Sequence, residues 1–278
     1  MNELDIESFD GVRIRAYHTP AAPGRDNLVI ALPLATKPSF IQRVVASLSR
    51  HFNIITWEAR LLLTPQAPLA DKQALSTEAH VRDLNILLDH LGIQRTSLLG
   101  YCSGAAMALR IAAMDEGRLD KLVLINGAYF LKPEGCEVTQ YERDILALAP
   151  QLAASRAQSS YIFSRFFEGN PSFRKRELEF ADEIYRPYDH AESFFRFGVS
   201  LDQFIRSDSR RVAREIKLPT LVASGGLDDQ THPASSTLIA SDISAKAIYF
   251  DKVGDHYAFC RAKKETIERV MEFLGTGT

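Results

Sequence analysis

Residues 95–114, RTSLLGYCSGAAMALRIAAM, run from an apolar stretch into a stretch of small and apolar residues through two glycines four positions apart. The first stretch reads as a strand and the second as a helix. A strand that enters a helix through so tight a turn strains the residue at its tip, and the positions two away on either side must be small to avoid collision. With Cys102 at the tip those flanks are Gly100 and Gly104. With Ser103 at the tip they are Tyr101 and Ala105, and the tyrosine does not fit. The frame therefore selects Cys102 as the presented nucleophile. The free N–H groups and positive end of the following helix favour its thiolate. The N–H of Ser103 becomes a candidate oxyanion donor.

Such a turn belongs to a sheet of parallel strands covered by helices, and the rest of the chain supplies them. LDIESF and VRIRAYHT, joined by Asp10-Gly11, predict a hairpin. NLVIALP, FNIITWE, RTSLLGY and DKLVLING are buried strands. Between them SFIQRVVASLSRH, with Ser39 as its expected N-cap, and STEAHVRDLNILLDHLGI have helical spacing. From about Pro133 to Lys217 the alternation gives way to helices. It resumes with LPTLVASG, a helix from about Pro233, AKAIYFDKV and a closing helix KKETIERVMEFLG. The expectation is an α/β fold with a mostly parallel sheet of about eight strands. Its core comprises residues 1–132 and 218–278, and a helical cap of residues 133–217 lies over the sheet edge where ligands bind.

Composition narrows the function classes. The net charge of −2 gives no basic field for nucleic acid. The apolar runs are too short for a membrane span, and the N-terminus has no signal-peptide pattern. Cys102, Cys136 and Cys260 are widely spaced, which suits a reducing cytoplasm and no metal. No cofactor site emerges, and nothing fixes the oligomeric state. Among seven histidines, His256 in Gly254-Asp255-His256-Tyr257 lies on a loop between a strand and the final helix, where it can serve as a base. His51, His80 and His90 fall on or beside surface helices. Asp228 and Asp229 follow the preceding strand, whereas the strand ending at Asn126-Gly127-Ala128-Tyr129 offers no carboxylate.

The elbow and the order cysteine, aspartate, histidine resemble the α/β-hydrolase superfamily over nearly the whole chain. The resemblance implies a Cys102–Asp229–His256 triad, because the family's Asp-X-X-X-Pro pattern fits Asp229 and Pro233, with Asp228 as the alternative. It also implies Leu34 N–H as second oxyanion donor, from Leu32-Pro33-Leu34 where the family commonly has His-Gly-X. GYCSG and ALPLATKPSF look like the corresponding segments of polyhydroxyalkanoate synthases. Cysteine-type release enzymes of polyketide and peptide assembly lines, Dieckmann cyclases among them, are closer in size. A thiol nucleophile exchanges readily with another thioester, so the expected substrate is an acyl thioester on coenzyme A or an acyl carrier protein. The expected activity is that of a thioesterase or acyltransferase. The alternatives are a Dieckmann-type cyclase or C–C bond hydrolase on the same triad, and a non-catalytic binding protein. Tyr101, Tyr129, Phe163, Phe167, Phe194, Phe195 and Tyr257 are the expected substrate-binding residues. Arg174-Lys175-Arg176 is a possible contact for a phosphopantetheine or an acidic carrier face.

Overall fold

The structure, a computed structural model, describes residues 1–170, 179–245 and 247–275. Arg174-Lys175-Arg176 lies outside the described residues. Eight strands form one sheet: β1 (Asn2–Glu7), β2 (Arg13–Thr19), β3 (Asn27–Ala31), β4 (Asn53–Trp57), β5 (Thr96–Tyr101), β6 (Leu119–Ile125), β7 (Thr220–Gly225) and β8 (Ala247–Asp251). Their spatial order is β1-β2-β4-β3-β5-β6-β7-β8. The expected hairpin pairs β1 with β2 around Gly11, whose φ of +77° only glycine adopts without strain. β2 also runs antiparallel to β4, and every later pairing is parallel.

The continuously apolar runs of β3 to β7 are explained by cover on both faces. On one face α1 (Gln42–Leu48) and α10 (Lys264–Leu274) press Val44, Leu48, Ile267 and Val270 onto Leu28, Ile30, Leu99 and Val123. On the other, α2 (Thr77–His90), α3 (Ser103–Met114) and α9 (Pro233–Ile243) cover Val29, Leu98 and Leu122. Ser76 caps α2 through Ala79 N, as its sequence suggests. Ser39 does not cap a helix. Pro38–Ile41 form a 3₁₀ turn before α1 begins, and the Ser39 hydroxyl donates instead to Glu183 Oε1 at 2.6 Å. His80 is also misplaced by the sequence reading. It points inward from α2 and is 1% exposed.

Between β6 and β7 stand α4 (Gln140–Ala154), α5 (Arg156–Phe166), α6 (Ala181–Ile184), α7 (Ala191–Arg206) and α8 (Ser209–Glu215). α4, α5 and α7 share a small core of Leu152, Phe163 and Phe194. A side chain at Gly198 would strike Leu152, so the glycine sets how closely α7 approaches α4. α8 falls within the 133–217 stretch yet buries Val212 and Ala213 in the same layer as α3 and α9. Arg196 of α7 is almost completely buried. Its guanidinium donates to Leu61 O, Thr64 O and Ala67 O of the loop after β4, tying the inserted helices to the sheet.

Candidate active site

The turn between β5 and α3 carries the strain its sequence demanded. Cys102 is the N-cap of α3 with φ 55° and ψ −125°. A side-chain carbon at Gly100 would lie 2.6 Å from Ala105 Cα and one at Gly104 would lie 2.6 Å from Leu32 O. Neither position tolerates a heavier residue. Cys102 N donates to Ile125 O and its carbonyl accepts from Ala105 N and Ala128 N, so the strained tip is held from β6 as well. The thiol is half-buried.

His256 lies on the loop after β8 and is 4% exposed. Its Nδ1 is 2.9 Å from Asp228 Oδ2 and 3.0 Å from Oδ1. Burial alone pushes an imidazole toward its neutral form. Its interactions with Cys102 and with the Asp228 carboxylate outweigh that effect and raise the pKa to about 10. Asp228 is itself held by Gln230 N and Thr231 N on Oδ1, each at 2.8 Å, and by Thr231 Oγ1 on Oδ2 at 2.9 Å.

The geometry corrects the preference for Asp229. The Asp229 side chain faces solvent and receives only Gln230 Nε2 at 3.2 Å, while its neighbour turns in to the ring. The spacing to Pro233 gave the loop correctly but not the residue on its inner side. A second correction concerns the oxyanion donors. Leu34 N–H is not free: it donates to Ser103 Oγ at 2.9 Å. Ser103 N sits in the first turn of α3, where amides lack intrahelical acceptors.

The expected substrate residues divide. Tyr101 is wholly buried beneath the site; its hydroxyl donates to His256 O at 2.8 Å and its ring stacks 5.3 Å from the imidazole, so it positions the loop and is out of a substrate's reach. Tyr129 is 1% exposed, and Phe194 and Phe195 are at most 2% exposed. These three are interior packing: Phe194 joins α7 to α4 and α5, and Tyr129 and Phe195 belong to the main core under the sheet. Phe163 is buried with them, and Phe167 packs half-buried at 5.0 Å from Phe194. Tyr257 is half-buried, with its ring 5.3 Å from His256 and its hydroxyl within the electrostatic influence of Cys102.

Several residues at the site had no clear sequence signal. Phe40 and Phe180 meet edge to face at 5.2 Å, and Phe180 lies 5.6 Å from Tyr257, which brings the inserted segment over the imidazole side. Tyr141 of α4 interacts electrostatically with Cys102, Tyr188 and Tyr257, and burial raises its pKa well above the usual phenol range. Asn126, at φ 45°, donates to His256 O and accepts from Gly225 N, so it joins the ends of β6 and β7 to the histidine loop. The one hint was an Asn-Gly pair at a strand end, where a left-handed residue is common. Among the described residues no group of three or more His, Cys, Asp or Glu side chains is placed to hold a metal ion, and no helix is long and apolar enough to cross a membrane.

A sequence profile of the alpha/beta hydrolase fold matches residues 31–260. The chain is 27% identical to L-allo-isoleucyltransferase of Pseudomonas savastanoi pv. glycinea, over 98% of this chain and 94% of that protein. Among solved structures, a hydrolase from Pseudomonas aeruginosa PA01 superposes with TM-score 0.72 at 21% identity, covering 99% of this chain and 98% of the other. The enol-lactonase of Burkholderia xenovorans LB400 gives TM-score 0.71 at 23% identity, covering 98% and 99%. At these identities the two structures speak for the fold alone.

Proposed function

The chain belongs to the alpha/beta hydrolase family of enzymes, and from that premise we propose that it is an acyltransferase that carries its acyl group as a thioester on Cys102. The observation that carries the reading is a half-buried cysteine at a strained strand–helix corner, interacting electrostatically with a histidine that is itself held by a buried aspartate. The Cys102 sulfur attacks the carbonyl carbon of a donor thioester and forms a new C–S bond. The tetrahedral oxygen is met by Ser103 N–H in the first turn of α3. Collapse breaks the donor's C–S bond, and the leaving thiol takes the proton from His256. The acceptor's thiol, amine or hydroxyl then returns a proton to His256 as it attacks the Cys102 thioester, releasing the enzyme unchanged.

Transfer is favoured over hydrolysis by two considerations. Exchange between thioesters is close to isoenergetic, so a cysteine suits a relay of acyl groups between carriers. The relative matched from end to end bears a transferase name, and its isoleucyl group points to a branched aminoacyl thioester for this chain too. The donor is a thioester of coenzyme A or of a carrier protein's phosphopantetheine. Phe180 and Tyr257, packed 5.6 Å apart beside His256, supply apolar surface for such a side chain.

The test uses the N-acetylcysteamine thioester of L-isoleucine, with intact-mass detection. The wild-type protein should gain one isoleucyl group, Cys102→Ala should gain none, and added pantetheine should remove the group faster than water does. An adduct that persists in the alanine variant overturns Cys102 as nucleophile. Loss to water that outpaces loss to pantetheine makes the enzyme a thioesterase instead.

A further inference from the structure

Asp228 stands on an irregular loop with no strand or helix of its own to fix it, yet the proposed chemistry needs it seated against His256. The loop is gripped from outside the sheet. Thr139, the N-cap of α4, donates its hydroxyl to Gln230 O at 2.9 Å, and Glu142 Oε2 accepts from His232 N at 3.0 Å. These two contacts bracket Thr231, whose amide and hydroxyl both hold Asp228.

Thr139 and Glu142 also form a capping box, with Glu142 N donating to Thr139 Oγ1 at 3.0 Å and Thr139 N donating to Glu142 Oε2 at 2.8 Å. A capping box needs no burial; on a solvated helix it is worth about 1 kcal/mol. Here the carboxylate is wholly buried, and its Oε1 has no hydrogen-bond partner. Burial raises its pKa, the bonds from Thr139 and the His232 amide oppose the rise, and the Asp228 carboxylate adds to it. Cys136 also lies within its field. Burying a carboxylate beside a second one costs stability that a plain helix cap does not require. The neighbouring Tyr141 meanwhile interacts electrostatically with Cys102.

Resting on the triad reading above, we propose that Glu142 is a positioning residue. It fixes the 228–232 loop so that Asp228 engages His256, and thereby makes the docking of α4 a condition for activating Cys102.

The full-length protein is assayed in two ways: the rate of Cys102 alkylation by iodoacetamide at neutral pH, which needs no substrate, and kcat and KM for isoleucyl transfer. Wild-type Cys102 should be alkylated at least about 10-fold faster than in His256→Ala, because a seated imidazole takes the thiol proton. Glu142→Ala should lower kcat by about 10- to 100-fold with KM within about threefold, the range seen when an orienting partner is removed. Its alkylation should slow toward the rate of His256→Ala. Glu142→Gln, which keeps one acceptor, should recover most of the loss. His232→Pro removes the N–H that reaches Glu142, at a residue whose φ of −66° already suits proline, together with the ring that caps α9 through Ala234 N. His232→Asn, which keeps both the N–H and a cap, is its control. The proline variant should reproduce the slowed alkylation of Glu142→Ala with the capping box intact, and it serves if Glu142→Ala does not fold. Variants with lowered urea midpoints but wild-type kcat and alkylation rates would reduce Glu142 to a helix cap and overturn the proposal. A wild-type Cys102 alkylated no faster than in His256→Ala would overturn the triad reading, and the positioning role with it.

Discussion

Aspartates 228 and 229 are adjacent, and only the direction of the backbone separates their roles. Asp228 is 6% exposed and accepts bonds from Thr231, Gln230 N and the His256 ring, whereas Asp229 projects into solvent. A carboxylate there orients the imidazole and stabilises its charge, and an amide does neither with the correct tautomer. Asp228→Asn should therefore lower the rate of isoleucyl transfer by about 10²- to 10⁴-fold. Asp229→Asn should leave it within about threefold, because an exposed side chain with one amide contact contributes little. The measurement is the initial rate of transfer from the model thioester to pantetheine. Equal losses in the two variants would mean that the loop turns over in solution and that the family spacing to Pro233 marked the working residue after all.

At the scale of elements, the elbow was legible in the sequence because close packing leaves only one frame for it. A methyl group added at Gly104 would collide with the backbone oxygens of Ala31 and Leu32, which are part of the sheet and its following turn and do not yield. Gly104→Ala should destabilise the protein by about 3 kcal/mol or more, at the upper end of overpacking costs, and the urea midpoint reads it. A change below about 0.5 kcal/mol would show that α3 can slide away from β3. The strands of the central sheet and the face-covering helices were equally legible, since apolar runs and helical spacing report burial directly. The substrate surface was not. Phe194 and Phe195 read as pocket lining because an aromatic stripe looks the same whether it meets ligand or another helix. The clamp through Arg196 was invisible for a related reason: its acceptors are backbone carbonyls, which no side-chain pattern encodes. Arg196→Lys replaces a planar fork with a point charge that cannot satisfy acceptors spread from residue 61 to 67. It should cost about 2–4 kcal/mol and open that loop to proteolysis, with cleavage sites read by mass spectrometry. A protease-resistant lysine variant would show that other contacts hold the inserted helices in place.

For the molecule as a whole, a pair of buried groups on α2 couples stability to pH. Asp83 and His80 stand one turn apart on α2, each at most 2% exposed, beside the buried Arg60, which is paired to Asp10 at 2.6 Å. Asp83 accepts from Ser8 Oγ and faces Arg60 Nε at 3.5 Å, yet burial raises its pKa to about 7. Burial and the Arg60 charge lower that of His80 to about 3, and neither ring nitrogen has a partner. In the folded protein both groups are therefore neutral across mildly acidic pH, while in the unfolded chain both are charged. Asp83 alone gives the native state an extra proton between about 4 and 7, so its contribution is complete below the unfolded value and is lost as pH rises through about 7. His80 alone leaves the native state one proton short between about 3 and 6.5, so its contribution is present above 6.5 and is lost as pH falls toward 3. From about 4 to 6.5 the two slopes cancel. Removing either partner exposes the other, with a limiting slope of about 1.4 kcal/mol per pH unit. Relative to wild type, Asp83→Asn should lose stability as pH falls from 6.5 to 4.5, and His80→Phe should gain it over the same interval. Urea midpoints at three pH values decide the matter. Parallel shifts in the two variants would mean that water reaches the cluster and that neither group is held neutral by the fold.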